Sequence, residues 1–240
     1  MVPALILNRK QLPSKDQMVE SRVVFNSTGE LLVYDYIMPF KWSEEDTAVT
    51  PDTVVNFLKD APKELTVRIN SSGGDVGAAL AIYNQLLEHG NVTTIVDGYA
   101  FSSAGWLALA GQNRQICNGG LFMMHNPYTI GQVNSLASVE NLKQRWESHR
   151  DSIVDIFTSR TSLKPEEVKN MMEAETYLGA QETVSKGLFH SVRNGRPETA
   201  ILNCLELPEV ARNKVELPRP DIEALNRRML NIRRNFGSGS

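Results

Sequence analysis

The first 22 residues mix polar and apolar side chains without a clear period and predict an arm. From Val23 the pattern sharpens. Val23-Val24-Phe25, a turn signal in Asn26-Ser27-Thr28-Gly29 and the run Glu30–Ile37 predict a hairpin or two successive strands. Thr50 as a cap with Pro51 at the first helical position predicts a short helix reaching Leu58. Strands and helices then alternate. Residues 65–70 (LTVRIN) predict a strand broken by Ser71-Ser72-Gly73-Gly74. Asp75 caps a helix whose apolar positions Val76, Ala79, Leu80, Tyr83, Leu86 and Leu87 recur at helical spacing, and Gly90 ends it. Residues 92–98 (VTTIVDG) predict the next strand, Ser102–Ala110 a short helix, and Gln115–Cys117 and Leu121–His125 two further strands. Repeated strand–helix units imply an α/β fold with a mainly parallel sheet and right-handed crossovers.

Beyond Gln132 the rhythm is helical. Leu136, Val139, Leu142, Trp146, Ile153 and Phe157 keep three- and four-residue steps and predict one long helix over about 134–158. Such a helix either runs through the core or projects from it to meet another subunit; the pattern alone allows both. Pro165 opens another helix through Met172, and Gly187 caps the segment that follows TYLGA. After Asn194 the pattern dissolves. The chain thus divides into an arm (1–22), one folded domain (23–194) and a C-terminal extension (195–240) whose final Gly-Ser-Gly-Ser resembles a linker remnant.

Composition narrows the function classes. Apolar residues make up 41% and charged residues 22%, the balance of a globular protein rather than a disordered or membrane-spanning one. Twenty-five Lys and Arg against 28 Asp and Glu give a net charge of −3, which argues against a general nucleic-acid binder. Two cysteines, Cys117 and Cys204, build neither a disulfide framework nor a structural zinc site. The amino terminus carries no secretory pattern, so the expected location is the cytoplasm.

Candidate chemistry gathers where loops leave strands at one end of the sheet. Ser71-Ser72-Gly73-Gly74 is either a plain tight turn or a backbone that exposes N–H groups to a developing anion. In Gly98-Tyr99-Ala100-Phe101-Ser102-Ser103-Ala104-Gly105, a serine either caps the following helix or stands at a sharp turn with its hydroxyl exposed. His125 ends an apolar strand just before Asn126-Pro127; it is a satisfied core histidine or a base able to take a proton from a serine. His89, His149 and His190 read as surface residues.

At these residues the sequence resembles the Clp protease proteolytic subunit family of serine peptidases, and most of all its phage and prophage head maturation (prohead) members. RINSSGGDVGAALAIYNQL, VDGYAFSSAGWLALAG, MMHNPYT and ETYLGAQETVSKGL stand in the family's order over about Glu30 to Val192. The resemblance implies a ClpP/crotonase-like fold of stacked βαβ units with a long projecting handle helix. It implies Ser102 as nucleophile, His125 as general base, and the N–H groups of Gly74 and Ser103 as the oxyanion hole. The family's third triad member, usually an aspartate, falls on Glu175, with Glu173 as the alternative. Ser72 stands where the family commonly has proline, and Phe101 where it has a small residue. No metal or organic cofactor is implied, and neither nucleic acid nor membrane as partner. Expected partners are protein substrates, above all phage scaffold or capsid proteins or the chain's own tail, and further copies in a homo-oligomer or ring. Alternatives are a degradative subunit under a Clp ATPase, a non-catalytic assembly protein of this fold, and, more distantly, a crotonase acting on acyl-CoA.

Overall fold

A computed structural model describes residues 30–43 and 46–194. The expected arm, the Val23–Phe25 strand with its turn, and the C-terminal extension lie outside the described residues. Within them, strands β1 (Leu31–Val33), β2 (Leu65–Ser71), β3 (Val92–Phe101), β4 (Asn113–Cys117), β5 (Leu121–Met124), β6 (Thr176–Gly179) and β7 (Ser191–Arg193) form one sheet. The helices are α1 (Pro51–Leu58), α2 (Val76–His89), α3 (Ser103–Leu107, continued by a 3₁₀ turn Ala108–Ala110), α4 (Leu136–Arg160), α5 (Pro165–Glu173) and α6 (Ala180–Ser185).

The sheet runs β1-β2-β3-β4-β7, with β5 on β3 and β6 on β5. Every pairing is parallel except β5–β6. Because β1 to β4 advance in one direction, right-handed crossovers place α1, α2 and α3 on the same face. Burial in β2 agrees: Leu65, Val67, Ile69 and Ser71 are buried, whereas Thr66, Arg68 and Asn70 on the opposite face are half-exposed.

On that second face Asp97, 4% exposed, gathers the sheet. It accepts from Tyr34 Oη at 2.5 Å and Arg68 Nε at 2.9 Å, pairs with Arg68 Nη2, and takes the Cys117 thiol at 3.6 Å. Burial, with Asp97 beside it, pushes the Cys117 thiol up to about 11, so it is no ready nucleophile.

The expected strands shift by a residue or two at most ends, and two of them change more, for physical reasons. β1 stops at Val33 rather than running to Ile37: the Asp35 carboxylate takes the Tyr36 N–H at 2.7 Å and the Asp35 carbonyl takes the Ser71 hydroxyl at 2.7 Å, and Ile37 keeps only isolated bridges to Val49 and Gly74. β3 continues past Gly98 to Phe101 because it changes partner. Thr93–Val96 pair with β4, and Tyr99–Phe101 pair with Leu121–Met123 of β5. β6 and β7 are short strands that no local pattern announces.

The long helix of the sequence is α4. Its buried residues are Ile153, Val154, Ile156 and Phe157, all in the last turns, and none before Ile153 is buried. Leu136 is 90% exposed. Phe122 of β5 meets Phe157 edge-on at 6.3 Å and Phe189 at 6.0 Å, which seats β5 in the core. Arg160 and Arg114 take the carbonyls of Leu109, Ala110 and Gly111, the orphan acceptors at the end of the α3 segment. No helix of the described residues is long and apolar enough to cross a membrane.

Candidate active site

β2, β3 and β5 are mutually parallel, so the loops after Ser71, Phe101 and Met124 emerge at one end of the sheet. That placement brings the sequence's separate candidates together. Ser102 has φ 52° and ψ −126°, a left-handed conformation that a side chain occupies only under strain, and its side chain makes no helix-cap hydrogen bond. The capping alternative therefore does not describe it. The turn is held by Ser102 N–H donating to the Met123 carbonyl at 2.9 Å and Gly105 N–H to the Ser102 carbonyl at 3.0 Å. The half-buried Ser102 hydroxyl lies 2.7 Å from His125 Nε2.

Ser103 behaves differently. It is 1% exposed, and its hydroxyl donates to the Gly74 carbonyl at 3.3 Å. Its N–H, at the first position of α3, has no helical acceptor. Among the described residues no backbone hydrogen bond uses the Gly74 N–H, whereas the Gly73 N–H donates to Ser71 Oγ at 3.0 Å.

Both glycines are required where they stand. Gly74 has φ +152°, and a Cβ there would sit 2.0 Å from the Ile37 carbonyl oxygen. Gly73 has φ +91°, and its Cβ would come 2.9 Å from Ser103 N and 3.0 Å from Ser102 Cβ. The glycine loop is therefore pressed between the serine turn on Gly73 and Ile37 on Gly74, with Ile37 N–H bonded to the Gly73 carbonyl and Asp75 N–H to the Ile37 carbonyl. Gly74→Ala is expected to cost about 2–4 kcal/mol of stability, read as a lower melting temperature. An unchanged melt would show that the loop is free to move away.

Burial holds the pKa of His125 below the usual histidine value, and the nearby charge of Glu175 pulls it part of the way back. Glu175 thus acts on the imidazole electrostatically, although no hydrogen bond joins the two among the described residues. Its backbone is also unusual, with φ +45° at the turn between α5 and β6. Glu173 does something else: it accepts from Asn126 Nδ2 at 2.6 Å. Asn126 carries no signal in composition or spacing beyond its place beside His125 in MMHNPYT, and the fold gives it a carboxylate partner. Around the site, Phe101 stacks with Tyr99 and meets Tyr177 edge-on, and His125 meets the exposed Tyr128 ring at 5.0 Å.

The fold is thus a mixed α/β one with a mostly parallel sheet, and a strained serine, an imidazole and a glycine loop stand at one end of it. The sequence model of the Clp protease family matches residues 23–196, and the chain belongs to that family and is a protease. Among its relatives is the ATP-dependent Clp protease proteolytic subunit 1 of Protochlamydia amoebophila (strain UWE25), 28% identical over 145 residues, which cover 59% of this chain and 70% of the relative.

Proposed function

We propose that the chain is a serine endopeptidase with Ser102 as nucleophile, His125 as general base and Glu175 as the acid whose charge stabilises the imidazolium. The observation that carries this reading is the 2.7 Å approach of His125 Nε2 to the strained Ser102 hydroxyl. His125 takes the hydroxyl proton as Ser102 attacks the scissile carbonyl, then returns it to the leaving amine. The N–H groups of Gly74 and Ser103 receive the oxyanion; such a donor is typically worth about 2.7–4 kcal/mol of transition-state stabilisation. Water then releases the acyl group by the same proton route. Glu175 favours the imidazolium that forms in each step, which its effect on His125 supports.

Glu175 occupies its position at a cost. A side chain at positive φ is strained by about 1 kcal/mol relative to glycine. Glu175→Gly is therefore expected to raise the melting temperature by a few degrees while slowing turnover, in calorimetry and peptide hydrolysis measured together. A variant that is stabilised and fully active would remove Glu175 from the mechanism.

The finer reading is a phage head maturation protease that cleaves scaffold or capsid proteins, or its own tail, in a homo-oligomer. Its support is the motif set and the sequence beyond residue 194, whose last 30 residues carry a local excess of basic side chains. In this reading α4, free of buried residues over its first turns, is the handle through which copies assemble. The relative's name favours a second reading, a degradative subunit working with an ATPase. Incubation with co-expressed scaffold and capsid proteins, with and without a Clp ATPase and ATP, separates the two. Limited cleavage without the ATPase supports maturation; processive degradation only with it supports the second.

A further inference from the structure

His125 leaves the sheet as soon as it begins its work. β5 ends at Met124, paired with Thr176, and His125, Asn126 and Pro127 follow outside the ladder. Pro127 has no N–H with which to anchor the segment. Pro127 is buried and His125 meets Ser102, and the side-chain bond that ties this stretch to α5 is Asn126 Nδ2 donating to Glu173 Oε2 at 2.6 Å. Asn126 is the immediate neighbour of His125. Glu173 is the last residue of α5 and stands two positions before Glu175. One charge-assisted bond therefore spans the two loops that carry the base and the acid.

The amide orientation follows from the carboxylate. Turning Asn126 over would set its oxygen against Glu173, two acceptors facing each other. As it stands, Asn126 Oδ1 is buried without a partner among the described residues. A buried amide oxygen left in that state is held there by what the other end of the amide does.

Resting on the serine-peptidase reading, we propose that Asn126 and Glu173 form a positioning pair that sets the His125 imidazole against Ser102 and fixes its separation from Glu175. Neither touches the reacting atoms. Glu173, the alternative triad acid of the sequence, acts through Asn126 and not on the imidazole. Glu173 is exposed at the end of α5 and Asn126 is half-buried beyond the end of β5, so their loss leaves the core intact.

The test is the kinetics of fluorophosphonate labelling of Ser102 in the full-length chain and in Asn126→Ala, Glu173→Ala, Glu173→Gln and the double alanine variant. Each single alanine variant is expected to slow the maximal labelling rate about tenfold, the scale of a sub-ångström misplacement, with the probe's half-saturation unchanged. The double variant should be no slower than either single one, and Glu173→Gln, which keeps an acceptor, should label close to the parent rate. Alanine variants that label at the parent rate, losses that multiply in the double variant, or a Glu173→Gln as slow as Glu173→Ala would overturn the pair. A parent chain that takes no label overturns the serine reading itself and the pair with it.

Discussion

Ser102→Ala is expected to lower peptide-bond hydrolysis on the order of 10⁴-fold or more, leaving at most the residual rate of binding and backbone amides. The reason is chemical rather than structural. The hydroxyl is the only part removed, the turn keeps its bonds through the Ser102 N–H and carbonyl, and Ser103 cannot substitute. Ser103 is buried and its hydroxyl is engaged by the Gly74 carbonyl, away from His125. Thermal melting should therefore stay close to the parent's while proteolysis of a denatured protein substrate disappears. Ser103→Ala provides the contrast: it keeps the nucleophile and loses only the tie to the glycine loop, so its activity should remain within reach of the parent. A Ser102→Ala protein that still cleaves, or a Ser103→Ala protein that does not, would shift the nucleophile by one residue.

The pH profile is the second large effect. A general base works as neutral imidazole, so activity is present above the pKa of His125 and is lost as pH falls through it. Because burial lowers that pKa, the acid limb of kcat/KM is expected below the ordinary histidine value of about 6.5. Glu175 opposes the burial effect, so Glu175→Gln should move the limb to still lower pH. The same substitution removes the counter-charge of the imidazolium, and the plateau at higher pH should drop. The two changes run in opposite senses, which distinguishes this account from simple damage to the site. His125→Ala should remove the limb altogether with a rate loss of about 10²–10⁴-fold. An acid limb above pH 6.5, or one that Glu175→Gln leaves in place, would contradict the assigned electrostatics.

Much of this architecture was legible in the chain because local signals and tertiary needs agree. Thr50, ahead of Pro51, and Asp75 cap their helices as their side chains suggest, each side chain accepting a backbone N–H. The parallel sheet followed from the strand–helix rhythm. Legibility failed where pairing partners decide the structure. β3 runs on through Gly98 because β5 awaits it, and β6 exists because residues 121–124 offer it an antiparallel edge. The long helix showed its period but not its environment: Leu136 and Val139 fit the apolar pattern and are exposed.

The site was legible as residue types and not as geometry. Ser102 or Ser103, capping or exposed, were equal on spacing; the positive φ of one and the buried hydroxyl of the other separate them. Glu173 and Glu175 could not be told apart in sequence. The fold gives them different neighbours, Asn126 for the first and the charge field of His125 for the second.

On this reading Ser102 is an activated nucleophile. Labelling of the full-length chain with a fluorophosphonate probe, followed by mass spectrometry of the peptide spanning Tyr99 to Arg114, tests it most directly. A single adduct on Ser102, lost in His125→Ala, is the expected result. An adduct on Ser103, or an assembled protein that takes no label at all, would contradict it.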